Sequence, residues 1–403
     1  MMKRGICSSE SVIKARGEAE SIREYSLTKT IISACQEVFM RSNALVALIL
    51  IILFALIATC VAYSEEKDRL ITVFEDNANQ FTGVAVSQNN RIFLSYPNWL
   101  EEHKYSVVEV LPDGKLKPFP DEQWNNWKKG EPGKEKFVCA QAVYVDNQDT
   151  LWVVDPASPE MAGTVEGAVK LVKINLKGDK VEHIYYFDEK IADKSSYLND
   201  VRVDTRLQCA YLTDSATGAI IVVNLRNGTS RKFLEKHSST LAHSSYVFRI
   251  DGKELSNAKG PVRIHSDGIA LSPDGKFLYY KPLTDIKLYR IETKYFFDRK
   301  LKPAKLPDKV QSLGDVCTSD GLICDSKGNL YLGDIPYREI VKYKPDGTTE
   351  VLLKDDRLLW PDSYALSKDG WLYITCSQIH LMPWFNEGKN LRTTPYRLFK
   401  IKI

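Results

Sequence analysis

Six copies of one short unit recur between residues 82 and 376, and nothing else in the chain restricts its fold as strongly. Each copy is a short apolar strand ending in Ser or Asp, a turn, and a second strand rich in aromatic residues. The copies read TGVAVS and RIFLSY (82–96), QAVYVD and TLWVVD (141–155), NDVRVD and CAYLTD (199–214), DGIALS and FLYYKP (267–282), DGLICD and NLYLGD (320–334), and DSYALS and WLYITC (362–376). Their first residues lie 59, 58, 68, 53 and 42 positions apart. Each interval leaves room for two further strands, such as Ala219–Asn224 and Thr229–Leu234 across Asn227-Gly228, a type I′ hairpin signal. Helical periodicity is almost absent after residue 63, and turn signals separate β-branched and aromatic runs. The pattern predicts an all-β fold, a six-bladed β-propeller. The last copy has three strands of its own, closing with Tyr396–Lys402, and Leu70–Phe74 is a spare strand that would complete it and remove the open edge. A chain of 403 residues suggests two or three domains by size alone; the repeat makes residues 64–403 one.

The N-terminus is of another kind. Ala44–Tyr63 is twenty residues without a charge, enough for about 30 Å of helix. Arg41 lies just before it, with Lys3, Arg4, Lys14, Arg16, Arg23 and Lys29 further upstream, and Ser64-Glu65-Glu66 follows. That asymmetry keeps residues 1–43 cytoplasmic and sends residues 64–403 across the membrane, to a periplasmic or extracellular location. Two readings stay open. Residues 44–63 are a signal anchor, or a signal peptide cleaved near the small residues of Cys60-Val61-Ala62. Translation from Met40 would give a normal signal-peptide start and leave residues 1–39 as a start-site artefact; Thr59 argues against a lipidated Cys60. Membrane contact is expected only through 44–63, if that segment is uncleaved. Cys139, Cys209, Cys317, Cys324 and Cys376 remain beyond it, an odd number with no Cys-x-x-Cys, so no disulfide framework or zinc ribbon is specified. A hydrophobic fraction of 44% excludes wholesale disorder. The net charge of +3 falls to +1 once the seven basic and five acidic residues of the first 63 are set aside, which excludes a general nucleic-acid surface.

In a propeller the first strand of each blade is innermost, and its leading end opens on the central channel. Aligning the copies puts Thr82, Gln141, Asn199, Asp267, Asp320 and Asp362 at that position. All six are polar and three are carboxylates, which repel one another near an axis and call for a proton or a cation. Oxygen donors from Asn and Asp favour Ca²⁺ or Mg²⁺ over zinc, and a protonated amine answers the same need. The plainer alternative is that each bonds its own backbone in a turn and the channel holds water. The terminal residues Ser87, Asp146, Asp204, Ser272, Asp325 and Ser367 read as turn formers without chemistry. His265 and Trp360, each two residues before a leading Asp, are candidates for the channel mouth or for packing. Insertions at 120–136 (with Trp124 and Trp127), 235–264 and 376–395 are candidate loops over one mouth. Gly-x-Ser-x-Gly, Walker, Gly-x-Gly-x-x-Gly and His-Glu-x-x-His signatures are absent. Asn227-Gly228-Thr229 is a glycosylation sequon in a eukaryotic host, and equally a turn.

The blocks NDVRVDTRLQCAYLTDSATGAIIVVNL, SDGIALSPDGKFLYYKPL and LLWPDSYALSKDGWLYITCSQ, with the terminal PYRLFKI, resemble the major royal jelly protein/Yellow family, whose bacterial branch is labelled dopachrome-tautomerase-related. The resemblance covers roughly residues 68–403 and implies a secreted six-bladed propeller. The family spans amine-binding, pigment-pathway and nutritive proteins. A more distant resemblance, to gluconolactonase and senescence-marker propellers, implies a divalent-cation site at Thr82, Asn199, Asp267 and Asp320. Asn199 and Asp320 match that pattern, Asp267 replaces an Asn, and Thr82 replaces a Glu. Asn199, Asp267 and Asp320 are therefore the metal-ligand candidates, and Asp320 the candidate general base of a lactonase. Three functions follow: capture of a small cationic or aromatic ligand in the channel, a divalent-dependent lactonase or dopachrome-type tautomerase, and a non-catalytic surface protein that uses its loops.

Overall fold

The computed structural model describes residues 69–100 and 103–403, with helical pieces at 29–30, 32–34 and 52–54. The chain divides into two compact units, Met1–Asp68 and Arg69–Ile403. Most of the apolar stretch 44–63 lies outside the described residues; among those described, no helix is long and apolar enough to cross a membrane.

Arg69–Ile403 is a six-bladed β-propeller of antiparallel four-stranded sheets. From the inner strand outward, blade 1 is Gly83–Val86, Ile92–Ser95, Val107–Val110 and Leu116–Pro118. The inner strands of blades 2 to 5 are Ala142–Val145, Leu198–Asp204, Ser266–Leu271 and Leu322–Cys324. Blade 6 runs Pro361–Leu366, Trp371–Cys376 and Tyr396–Lys402, and Ile71–Asp76 pairs with Tyr396–Lys402 as its outermost strand. The repeat is therefore the blade, with the aromatic-rich run as its second strand. Alternate faces of neighbouring sheets fuse into apolar clusters, such as Trp152, Leu171 and Leu212 between blades 2 and 3. Burial of such side chains, at about 25 cal/mol per Å², supplies most of the force that holds the ring.

The terminal residues of the inner strands are turn formers, as expected. Ser87 Oγ accepts from the Asn89 and Arg91 N–H groups, Asp146 Oδ1 from Gln148 and Thr150, and Asp325 Oδ1 from Lys327 and Asn329. Asn227-Gly228 differs from its expected two-residue turn. The fourth strand of blade 3 starts at Ser230, Gly228 alone takes a positive φ (74°), and its N–H bonds the Asn224 carbonyl four residues back. The loop is longer because Asn227 uses its side chain on the Thr229 N–H and hydroxyl instead of turning left-handed. The 235–264 insertion carries two minimal hairpins, Arg249–Ile250 with Lys253–Glu254 and Ser256–Asn257 with Gly260–Pro261. The five cysteines beyond residue 68 are all free thiols.

Candidate functional site

The leading ends of the inner strands are set by a repeated device. A hydroxyl on the second strand reaches across to the carbonyl of the next blade's leading residue: Ser95 Oγ to Gln141 at 2.8 Å, Thr213 Oγ1 to Asp267 at 2.6 Å, and Thr375 Oγ1 to Thr82. The same hydroxyls accept from the backbone N–H just after their own blade's leading residue, at Gly83, Asp200 and Ser363. Small residues there let adjacent inner strands approach. A Cβ on Gly321 would lie 2.6 Å from the Asp362 carbonyl oxygen, and one on Gly268 would strike that of Asp320. In blades 3, 4 and 6 the pairing of the first two strands shifts register at this end, between Leu198 and Val201, Ser266 and Ile269, and Pro361 and Tyr364. Such bulges re-aim side chains that strict alternation would send apart.

All six leading residues are buried, and they divide into two groups. Thr82 and Gln141 bond within the joints between blades. Thr82 Oγ1 donates to the Gln141 carbonyl at 2.9 Å, and Gln141 Oε1 accepts from Tyr197 Oη at 2.8 Å, beneath a cluster of Trp99, Cys139, Tyr197 and Met382. Asn199, Asp267, Asp320 and Asp362 come together with Asp200, which the repeat alignment did not single out. Asn199 Nδ2 donates to Asp267 Oδ1, and Asp267 and Asp320 are hydrogen-bonded to each other. Asp200 and Asp362 both feel the charge of Asp320. Asp362 Oδ2 is buried with no hydrogen-bond partner.

Burial dominates the proton affinities. It lifts Asp267 and Asp362 well above the usual carboxylate range, with the nearby Asp320 adding to both. Asp200 is pushed up to about 6, again by burial, against the opposing pull of Arg202. Asp320 rises for the same reason, restrained by its bonds to Asp267 and Trp360. Two carboxyl groups that share a hydrogen bond hold at least one proton between them. The nearest buried ammonium, Lys281, donates to the carbonyls of Pro282, Asp285 and Ser319 rather than to a carboxylate.

Trp360 joins the cluster through its Nε1–H, which donates to Asp320 Oδ2 at 2.7 Å. Its ring is 1% exposed and stacks on His380 of the 376–395 insertion, with Phe248 of the 235–264 insertion at 5.7 Å. Those two insertions thus meet at this end of the channel; Trp124 of the 120–136 insertion packs on Phe137 instead. His265 is not part of the cluster: its Nδ1 accepts from the Ala242 N–H at 2.9 Å. The candidate metal ligands Asn199, Asp267 and Asp320 are adjacent, but their polar atoms are turned on one another and on Trp360. Among the described residues no three His, Cys, Asp or Glu side chains are grouped as a metal ion requires.

The family described as "Major royal jelly protein" matches residues 138–383. Major royal jelly protein 5 of Apis mellifera is 24% identical over 54% of this chain and 36% of its own length. Major royal jelly protein 6 of the same organism is 23% identical over 54% of this chain and 49% of its own. The chain therefore spans less than half the length of these curated relatives. Among solved structures, a gluconolactonase from Xanthomonas campestris superposes with a TM-score of 0.50 at 13% identity, over 83% of this chain and 89% of that one. Regucalcin, a calcium-binding protein from Agrobacterium tumefaciens, gives 0.51 at 13% identity over 82% and 94%. A luciferin-regenerating enzyme gives 0.51 at 12% over 83% and 95%. At such identities the likeness is one of fold.

Proposed function

Because the chain belongs to the major royal jelly protein family, we propose that it is an exported propeller that captures a small cationic ligand, an amine on an aromatic body, at the carboxylate end of its channel. The observation that carries this reading is the cluster itself: four buried aspartates, Asp200, Asp267, Asp320 and Asp362, whose proton affinities are all raised. A group of carboxylates that must hold protons to stay buried will exchange them for a cation whose own donors satisfy the same oxygens. An ammonium brings three N–H groups, and Asp362 Oδ2 stands without a partner to receive one. Trp360, His380 and Phe248 pack on one another beside the cluster, and the aromatic part of such a ligand would join these rings where the two insertions part. Export rests on the charge asymmetry around Ala44–Tyr63.

The adjacency of Asn199, Asp267 and Asp320 favours a second reading, a divalent-dependent lactonase with Asp320 as base. One experiment separates the two. The full-length protein and Asp320→Asn are melted with phenethylamine, with Ca²⁺, and with Ca²⁺ plus chelator. A ligand at a hundred times its Kd adds about 2.7 kcal/mol. The expected result is a phenethylamine shift in the wild type that Asp320→Asn loses. A Ca²⁺ shift reversed by chelator, with no amine shift, supports the lactonase instead. Absence of both shifts removes the basis of both readings.

A further inference from the structure

The other end of the channel is built on an opposite principle. Where the inner strands finish, a cavity of about 370 Å³ is lined by Val86, Val145, Leu271, Ile323 and Leu366, and by the side chain of Arg202. Arg202 is 7% exposed. It sits three residues after Asn199, at a repeat position held in the other blades by Ala85, Tyr144, Ala270, Ile323 and Ala365. A charge at a position otherwise given to apolar or aromatic residues demands a reason, because burying a guanidinium costs several kcal/mol unless it is matched.

The aspartate cluster supplies that reason only in part: Arg202 and Asp200 attract one another as a loose ion pair. The nearest carboxylate oxygen, on Asp200, is 4.0 Å away, beyond hydrogen-bond distance. Arg202 instead donates once from each Nη, to the carbonyls of Val201 and Leu322 at 2.6 Å, and its Nε is buried with no partner. The guanidinium carbon lies 5.1 Å from the centre of the Tyr144 ring, so the group is held in place, and each Nη keeps a second N–H beyond its carbonyl bond. Asp146, the carboxylate on the cavity wall, is consumed by the Gln148 and Thr150 N–H groups and by Trp152 Nε1. At the rim, Lys368 adds a second positive charge and donates to Gln88.

We propose that this cavity is a second binding site, for a small monocarboxylate with an apolar or aromatic body, its carboxylate on Arg202. Arginine presents a planar fork that matches a carboxylate, and a bond between two charged groups is about twice as strong as a neutral one. One buried guanidinium matches one negative charge, and Lys368 stays at the exposed rim on Gln88, so a monoanion fits the site best. The cavity volume falls in the range, about 300–1,000 Å³, that holds small organic ligands.

The test is titration calorimetry on the full-length protein with benzoate, and with benzamide as its neutral isostere. The wild type is expected to bind benzoate with a Kd of about 1 mM or tighter and benzamide about tenfold or more weakly. Arg202→Met should weaken benzoate about tenfold or more. Ala85→Leu, which narrows the cavity and leaves the arginine in place, should do the same and decides the matter if Arg202→Met does not fold. Phenethylamine should not compete. Equal binding of benzoate and benzamide, no wild-type benzoate binding, or a foldable variant that binds benzoate as the wild type does would overturn the proposal.

Discussion

The two ends of the channel share six inner strands and differ in what those strands deliver. At the leading end, five polar or acidic side chains crowd together under two insertions; Asp267 bonds both Asn199 and Asp320, Trp360 bonds Asp320, and Asp362 Oδ2 is left without a partner. At the finishing end the strands deliver Val, Leu and Ile around one guanidinium whose Nη groups each keep a second N–H. Carboxylates can escape burial by taking up a proton, whereas an arginine cannot lose its own. The first arrangement can therefore be built crowded and be tuned by pH, but the second has to be built with room for an anion. One axis thus offers two polarities, separated by Arg202 and Asp200.

The largest expected effect is at the leading end. Trp360→Ala removes a fully buried ring from Phe248 and His380 and leaves Asp320 without its indole donor. Denaturant unfolding should show a loss of about 3–5 kcal/mol. A loss near zero would mean that the insertions, not the indole, hold that end together. Next is a pH effect. Asp200 is raised from 3.8 in the unfolded chain to about 6 in the fold. Its contribution is therefore full below pH 3.8 and disappears as pH climbs through 6, a decline of roughly 3 kcal/mol. Asp200→Asn should flatten that part of the profile between about pH 4 and 6, and unchanged curvature in melts across this range would assign the decline to other groups. The smallest effect belongs to the finishing end. Lys368 is exposed, so Lys368→Ala should change stability by no more than about 0.5 kcal/mol while weakening benzoate at low salt and not at high salt. A salt-independent loss would place Lys368 in direct contact with the ligand.

The candidate site was half legible. Asp267, Asp320 and Asp362 stood out because carboxylates at matching repeat positions must share an axis. Asn199 was found by the same alignment, and so were Thr82 and Gln141, whose side chains turn out to serve the joints between blades. Asp200 was missed because strict alternation sends the residue after Asn199 away from the channel, and only the bulge between Leu198 and Val201 brings it back. A signal did exist. Asp200 occupies the position that is Gly83, Gly268 and Gly321 in other blades, where a small residue lets strands approach. Arg202 left a similar trace, as the sole charge among six aligned residues. His265, open between channel mouth and packing, caps the Ala242 backbone of a long insertion, whose path no repeat constrains.

What the sequence determined alone was everything that depends on neighbours along the chain: alternation that makes strands, Ser and Asp that close turns onto their own backbone, and a spacing that yields six equal sheets. Tertiary structure alone decided which polar groups meet. Asn199 and Asp267 lie 68 residues apart, and Arg202 and the Leu322 carbonyl 120. Such pairs form only once the ring has closed and local bulges have turned each side chain, because a hydrogen bond is fixed by atoms within about 3 Å and the repeat fixes only strands.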